Sequence, residues 1–107
     1  MIQQTPVDIY LSCDNDFDFP VVDSRTDILV SGASPTFVLK DSASATVSGS
    51  SGTASEISGK RGFYRATIPS TVSLTSGSTY YFEITTSSSG RDDFRRITCT
   101  ARYRQLR

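Results

Sequence analysis

The sequence predicts an all-β fold, an immunoglobulin-like antiparallel β-sandwich of about seven or eight short strands, with a small β-barrel as the alternative. Runs of alternating apolar and polar residues recur along the chain, and turn-forming residues separate them at the spacing of about 8–12 residues that is typical of sandwiches. No segment has the apolar spacing that a helix needs over about 10–12 positions. Ser and Thr account for 31 of the 107 residues, which suits strands and turns.

The first two predicted strands lie close to the amino terminus. Val7, Ile9 and Leu11 alternate with more polar neighbours, which indicates a strand with one buried face. The segment CDND then turns the chain, and the second strand follows with the two phenylalanines of DFDFP on one side. Pro20 cannot donate a backbone hydrogen bond, so we expect this strand to lie at a sheet edge or to end in a bulge.

The middle of the chain begins with a third strand at residues 36–40, TFVLK. A Ser- and Gly-rich stretch follows at residues 41–62, and such composition is also typical of flexible linkers. Because compact domains rarely contain an unstructured insertion of about 20 residues, we interpret it as two short strands, residues 45–47 and 54–57, joined by small-residue loops.

Three further strands complete the predicted fold. Residues 63–68 place Tyr64, Ala66 and Ile68 on one face before Pro69 stops the strand. The strand at residues 80–85 follows a Leu-Gly-Tyr spacing that resembles the tyrosine corner of sandwich domains, in which the Tyr80 hydroxyl bonds to the backbone of the preceding loop. The turn SSSGRDD then leads into a last strand at residues 94–103.

A chain of 107 residues is expected to form one domain. We divide it into an amino-terminal arm (residues 1–6), a single β-sandwich domain (7–103) and a basic carboxy-terminal tail (104–107). A domain of this size has little room for a deep cavity, so binding is expected on its faces, edges or loops.

Charge is balanced overall but unevenly distributed, with 11 Lys and Arg against 11 Asp and Glu. Residues 1–27 carry six Asp and one Arg, whereas residues 91–107 carry six Arg and two Asp. These charges could pair across neighbouring strands of one molecule, which we favour for those that flank strands, or they could attract neighbouring copies. Arg104 and Arg107 lie beyond the last patterned strand, where we expect them to contact a partner.

Cys13 and Cys99 could form a disulfide, but we favour free thiols that are buried as small apolar side chains. Cys99 shares a period-2 face with Ile97, Ala101 and Tyr103. The amino terminus lacks the pattern of an export signal, and no run approaches the about 20 apolar residues that span a bilayer. The expectation is synthesis in the cytoplasm and no membrane partner.

Catalytic chemistry is limited because the sequence contains no His. This excludes a Ser-His-Asp or Cys-His relay and a His-based metal site. A glycosidase needs only two carboxylates, for which Asp14, Asp16, Asp18 and Glu83 are candidates, but it also needs a cleft. We therefore predict a protein that is not an enzyme, with no catalytic residues and no cofactor.

Asp14, Asp16 and Asp18 have the D-x-D-x-D spacing of a calcium loop. The glycine expected at the sixth position is Phe19, and the glutamate expected at the twelfth is Arg25, so the motif is incomplete. We predict an acidic strand face without a metal, and a calcium site of different geometry is the alternative. The sequence GKRG at residues 59–62 lacks the frame of a phosphate-binding loop.

The order of the segments DNDFDF, TFVLKDSASATV, GFYRATIP, VSLTSGSTYYFEITT and FRRITCTARYR resembles the immunoglobulin-like modules of tailed-phage virion proteins, including the amino-terminal module of baseplate upper proteins. The resemblance covers residues 7–103. It implies a non-enzymatic virion component that assembles with copies of itself in a ring or lattice and docks on portal, capsid or tail proteins. A head-tail adaptor, neck or tail protein is expected, and a capsid-decorating or cement protein is the alternative.

Contacts with neighbouring proteins are expected through the two chain ends and the basic last strand. The candidate interface residues are Met1, Ile2, Arg96, Arg102, Arg104 and Arg107. A competing hypothesis is a carbohydrate-binding or adhesion module, because Tyr10, Phe63 and Tyr81 occupy positions that face away from the predicted core. Nucleic acid is not an expected partner, since no exposed aromatic residues are interleaved with the arginines along the sequence.

Overall fold

The computed structural model of the protein describes residues 7–23, 28–88 and 91–104, apart from the side chains of residues 88, 91 and 92. Within these ranges the chain forms only strands, turns and loops, so the all-β prediction is confirmed. The strands are β1 (Val7–Tyr10), β2 (Asn15–Pro20), β3 (Thr36–Asp41), β4 (Gly52–Thr53), β5 (Ser55–Glu56), β6 (Phe63–Ile68), β7 (Thr79–Ser88) and β8 (Arg91–Arg102).

The strands form two sheets. The five-stranded sheet has the order β1-β8-β7-β3-β4, and the three-stranded sheet has the order β2-β6-β5. All pairs are antiparallel except β1 and β8, which run parallel with Val7 opposite Cys99. Strand β2 is an edge strand that ends at Pro20, as the proline predicted.

The inward-facing residues of both sheets form one hydrophobic core. Phe17 of β2 packs against Phe82 of β7, and Phe82 also contacts Phe37 of β3. Period-2 alternation produces this core, because every second residue of β2, β6 and β7 is buried. Its fully enclosed members include Ile9, Leu39, Tyr64, Ala66, Ile68, Phe82, Cys99 and Ala101.

Two tyrosine hydroxyls hold loops against this core. The backbone N–H of Thr75 donates to the Tyr80 hydroxyl at 2.8 Å, which is the hydrogen bond expected of a tyrosine corner. The Tyr64 hydroxyl donates to the carbonyl of Val30 at 2.8 Å and accepts from the N–H of Ala33 at 3.0 Å. The two hydrogen bonds of Tyr64 connect β6 to the segment before β3.

Asn15 joins the first two strands. Its side-chain amide accepts from the backbone N–H of Tyr10 and donates to the Tyr10 carbonyl, both at 2.9 Å, and it also donates to the carbonyl of Cys13 at 3.1 Å. The side chain therefore pairs with the edge of β1 as another strand would. This pairing connects the five-stranded sheet to the three-stranded sheet.

The low-complexity stretch folds differently from the prediction. Residues 45–47 do not form a strand, and only an isolated bridge joins Lys40 to Thr46. The loop is instead held by the Asp41 carboxylate, which accepts from the backbone N–H groups of Ala43 and Ala45. The strand predicted at residues 54–57 is shortened to β5, and β4 precedes it in the other sheet.

The last hairpin, formed by β7 and β8, is longer than predicted. Strands β7 and β8 remain paired as far as Ser88 and Arg91, so the ladder extends through much of the segment SSSGRDD that was predicted as a turn.

Both cysteines are free, as favoured. Cys99 is fully enclosed, but Cys13 is only half-buried, since it lies in the turn between β1 and β2.

Candidate interaction surface

The outer face of the five-stranded sheet is defined by its register. Residues directly opposite each other in neighbouring strands point to the same side, so the partners of outward-facing Tyr81 and Glu83 also face outward. This face consists of Asp8 and Tyr10 on β1, Phe94, Arg96, Thr98, Thr100 and Arg102 on β8, Thr79, Tyr81, Glu83 and Thr85 on β7, and Thr36, Val38 and Lys40 on β3.

Arg96 lies near the middle of this face. Its Nη2 donates to Glu83 Oε2 at 2.9 Å, and its guanidinium carbon lies 4.7 Å from the centre of the Tyr81 ring. The Arg96 side chain remains 47% exposed, whereas that of Glu83 is 12% exposed. The pair holds the arginine in place while leaving much of its guanidinium accessible to a partner.

Arg102 and Arg104 lie on the same face where β8 ends, beside Tyr10 of β1. Arg102 Nε is 3.1 Å from Asp8 Oδ1 across the parallel β1–β8 pair, so the expected pairing between the two ends of the sequence is confirmed here. The Arg104 guanidinium lies over the Tyr10 ring at 4.7 Å. Arg104 is therefore placed by a contact within the domain, although it belongs to the predicted tail.

Three of the six predicted interface residues are thus brought together on one face: Arg96, Arg102 and Arg104. The other three, Met1, Ile2 and Arg107, lie outside the described residues. Sequence reasoning missed Phe94, which is 58% exposed on the same face. The signal was available, because Phe94 is an odd number of positions from buried Cys99 and therefore faces away from the core.

The outer face of the three-stranded sheet is more acidic. Asp18 binds Arg65 through two hydrogen bonds of 2.8 and 3.0 Å, and Asp16 accepts from the Thr67 hydroxyl at 2.7 Å. The hydrogen bond from Arg65 holds the pKa of Asp18 below its ordinary value, although desolvation acts in the opposite direction. These carboxylates therefore bind neighbouring strands within their own sheet.

The calcium alternative finds no support in this arrangement. Asp14 accepts from the backbone N–H of Ser70 at 2.8 Å, while Asp16 and Asp18 are directed to β6. In the ranges that the structure covers, no group of three acidic or Cys side chains lies close enough to hold a metal ion.

A third feature lies at the end of the molecule where β5 turns into β6. The Glu56 carboxylate accepts from the Gly62 N–H at 2.8 Å, from the Ser31 hydroxyl at 2.9 Å and from the Gly32 N–H at 3.3 Å. These donors, Gly62 first, lower the pKa of Glu56. An open depression beside it is lined by Ser31, Ile57, Ser58, Gly59 and Arg61, and the carboxylate serves there to bind two loops together.

An apolar cluster borders this turn. Ile28 is 64% exposed, Leu29 40% and Phe63 37%. Gly62 has a φ of 84°, and a Cβ at this position would lie 2.6 Å from the Leu29 Cβ, so glycine allows the two segments to approach. The sequence predictions assigned no element to the apolar run ILV at residues 28–30, which contributes Ile28 and Leu29 to this cluster.

The three aromatic residues of the carbohydrate hypothesis do not share a surface. Tyr10 and Tyr81 lie on the outer face of the five-stranded sheet, each beneath an arginine, whereas Phe63 belongs to the three-stranded sheet. A sugar platform needs aromatic rings with accessible faces on one surface, and these positions do not provide it.

Comparison of the chain with protein-family models, with curated proteins and with solved structures finds no match. Among the described residues no helix is long and apolar enough to cross a membrane. The fold and the two outer faces are therefore the basis for any functional conclusion.

Proposed function

We propose that the chain is an immunoglobulin-like β-sandwich that serves as a non-enzymatic structural component of a tailed-phage virion, as a head-tail adaptor, neck or tail protein. It assembles with copies of itself and with other virion proteins through its exterior. A capsid-decorating or cement protein is the alternative within the same class. The chain carries no catalytic residues and no cofactor in this proposal.

The strand arrangement supports the sandwich. Two sheets of five and three strands share one core, and the corner hydrogen bond of Tyr80 is of the kind that sandwich domains use. In antibody domains a disulfide joins the sheets at the position two residues after the corner tyrosine. Phe82 occupies that position here, and its stacking on Phe17 joins the sheets without a disulfide.

The main support for a structural role is the composition of the outer face of the five-stranded sheet. It presents Phe94, partly exposed arginines and a series of threonines. Aromatic residues and Arg are enriched at protein–protein interfaces. A face of this composition suits repeated docking of proteins better than binding of a small molecule.

The test is to purify phage particles from a culture that carries the gene and to quantify the chain in them by mass spectrometry. We expect a fixed number of copies per particle, and labelled antibodies should mark the neck or tail. Deleting the gene should leave separate heads and tails if the protein is an adaptor or neck component. Complete particles that break easily would favour the cement alternative, and particles that never contain the chain would overturn the proposal.

A glycan array serves as the counter-test for adhesion. The proposal expects no glycan to bind the purified chain at micromolar concentration. Specific binding that is lost in Tyr81→Ala and retained in Phe63→Ala would support a sugar-binding surface on the five-stranded sheet instead.

A further inference from the structure

The two outer faces of the molecule carry opposite charge. Among the side chains that the structure describes, the face of the five-stranded sheet has four cations against two carboxylates, and the face of the three-stranded sheet, with the residue just before β2, has three carboxylates against one guanidinium. The first set is Lys40, Arg96, Arg102 and Arg104 against Asp8 and Glu83, and the second is Asp14, Asp16 and Asp18 against Arg65.

The uneven distribution of charge along the sequence thus becomes a separation between opposite sides of the fold. The acidic segment supplies β2, and the basic segment supplies β8. Lys60 in the turn between β5 and β6 lies close enough to Asp18 to favour its charged form, so the acidic face is weakest at that end. The acidic character is concentrated toward Asp14 and Asp16.

The two faces also have the same order of side chains along the molecule. Arg95 Nη2 donates to the Pro20 carbonyl at 2.6 Å, which places Phe94 and Phe63 at the same end, because Pro20 pairs with Phe63. The amide of Asn15 bonds to Tyr10, which is opposite Arg102, so the basic end of β8 and the start of β2 share the other end.

From one end to the other, each face therefore presents first an exposed phenylalanine and then charged residues. On β8 the order is Phe94, Arg96 and, at the far end, Arg102. On the three-stranded sheet Phe63 is followed by Asp18, two positions further along the ladder, and then by Asp16. Two positions correspond to about 7 Å along a strand, so Arg96 follows Phe94 at the same distance along the strand as the Asp18–Arg65 pair follows Phe63.

We propose that the outer face of the five-stranded sheet of one copy docks on the outer face of the three-stranded sheet of a second copy in the same orientation. This contact brings Phe94 against Phe63 of the second copy, and Arg96 against its Asp18. It rests on the self-association in the proposed function and names the surface for it. Because the two surfaces differ, the contact is heterologous and repeats from copy to copy, which generates a ring where the rotation between copies closes and an open helical filament where it does not.

Two variants test the contact by disabling one face each. The basic-face variant combines Phe94→Glu with Arg102→Glu, and the acidic-face variant combines Asp16→Lys with Phe63→Lys. All four positions are exposed, so the domains should remain folded, which circular dichroism and thermal melting check. Arg61→Glu, in the turn between β5 and β6, is the control for reversal of charge outside both faces.

Sedimentation velocity over a concentration series gives the result. Wild type and Arg61→Glu should associate increasingly with concentration, and association should weaken as salt is raised. Each face variant alone should associate at least about tenfold more weakly, because like charges then meet across the contact. An equimolar mixture of the two variants should regain the association that neither shows alone, because the acidic face of the basic-face variant and the basic face of the acidic-face variant are both unaltered.

Other outcomes overturn the inference. Self-association of the acidic-face variant alone would show that identical faces meet, and a wild type that stays monomeric to about 1 mM at low salt would show that the contact does not form. These results are separable from the test of the proposed function. A chain present in particles but monomeric in solution overturns only the contact, whereas an assembling chain that is absent from particles overturns only the virion role.

Discussion

Phe17 stacks on Phe82 with ring centroids 4.1 Å apart and an angle of 13° between the ring planes. The two rings come from different sheets, and Phe37 adds a third ring 5.8 Å from Phe82. Aromatic pairs of this kind contribute about 0.5–1.5 kcal/mol beyond the burial of their surface. The contact is therefore a main connection between the sheets.

Truncating Phe82 should remove much of the stability of the domain. Phe82 is fully buried, so Phe82→Ala leaves a cavity between the sheets and is expected to cost about 3–5 kcal/mol. Phe94→Ala is the control, because Phe94 is exposed on the same hairpin, and it should change stability by no more than about 0.5 kcal/mol. Urea unfolding measures both values, and similar losses in the two variants would contradict the assigned register.

Removing the hydroxyl of Tyr80 should affect stability differently from removing the hydroxyl of the adjacent Tyr81. Tyr80→Phe removes the acceptor of the Thr75 N–H and should lower the free energy of unfolding by about 1 kcal/mol. Tyr81→Phe retains the ring beneath Arg96 and should be nearly neutral. Tyr64→Phe loses two hydrogen bonds of a buried hydroxyl and should cost more than Tyr80→Phe. Equal stability of all three variants in urea would contradict these assignments.

Asn15 should hold β1 in the five-stranded sheet. Asn15→Leu removes three hydrogen bonds and leaves both backbone groups of Tyr10 without their partner, which should cost about 1–3 kcal/mol. Hydrogen exchange at the Tyr10 N–H should accelerate more than at core amides of β7. Asp16→Ala, at the neighbouring exposed position, should leave that exchange unchanged. Unaltered protection of Tyr10 in Asn15→Leu would contradict the proposed connection.

Strands with one buried face were predictable because burial imposes a period of two. The run from Phe63 to Ile68 forms β6 with the predicted bounds and faces, and the place of Cys99 in the core followed from the same alternation. Pro20 predicted that β2 lies at a sheet edge or ends in a bulge, and the first of these is observed. These features depend on the alternation and identity of neighbouring residues, so they can be predicted from the sequence.

The remaining features depend on contacts between distant residues. Residues 45–47 alternate like a strand, but the Asp41 carboxylate satisfies the backbone N–H groups of Ala43 and Ala45 in a turn. The parallel pairing of Val7 with Cys99 joins residues from the two ends of the chain, and no local pattern specifies it. Alternation along β8 puts Arg96 and Arg102 on the same side as Phe94, whereas the position of Arg104 beside them depends on its contact with the Tyr10 ring.

Acid should loosen the loops that Glu56 connects. Its pKa is lowered in the folded state, so its charged form stabilises the fold above the usual carboxyl range of about pH 4.3, and this contribution is lost as the pH falls through the lowered pKa. Exchange at the Gly62 N–H should therefore accelerate in acid, after correction for intrinsic rates.

The variant Glu56→Gln should reproduce this effect at neutral pH, since it removes the charge that three donors contact. Asp41→Asn is the matched control, because that carboxylate holds a different loop, and it should leave Gly62 protected. A Gly62 amide that is equally protected in Glu56→Gln and in wild type would show that the carboxylate does not hold the turn.

The two cysteines should differ sharply in reactivity with a thiol reagent. Burial raises the pKa of the Cys99 thiol to about 11, so little thiolate forms at neutral pH, and the side chain is fully enclosed. Cys13 is half-buried in a turn and is accessible without unfolding. In native protein with a disulfide-exchange reagent, one thiol should react quickly and the second only at the rate of opening of the core. Cys13→Ser should abolish the fast phase, whereas urea should make both thiols of wild type react together. Two fast phases in native protein, or no titratable thiol in urea without reductant, would contradict the buried and free state of Cys99.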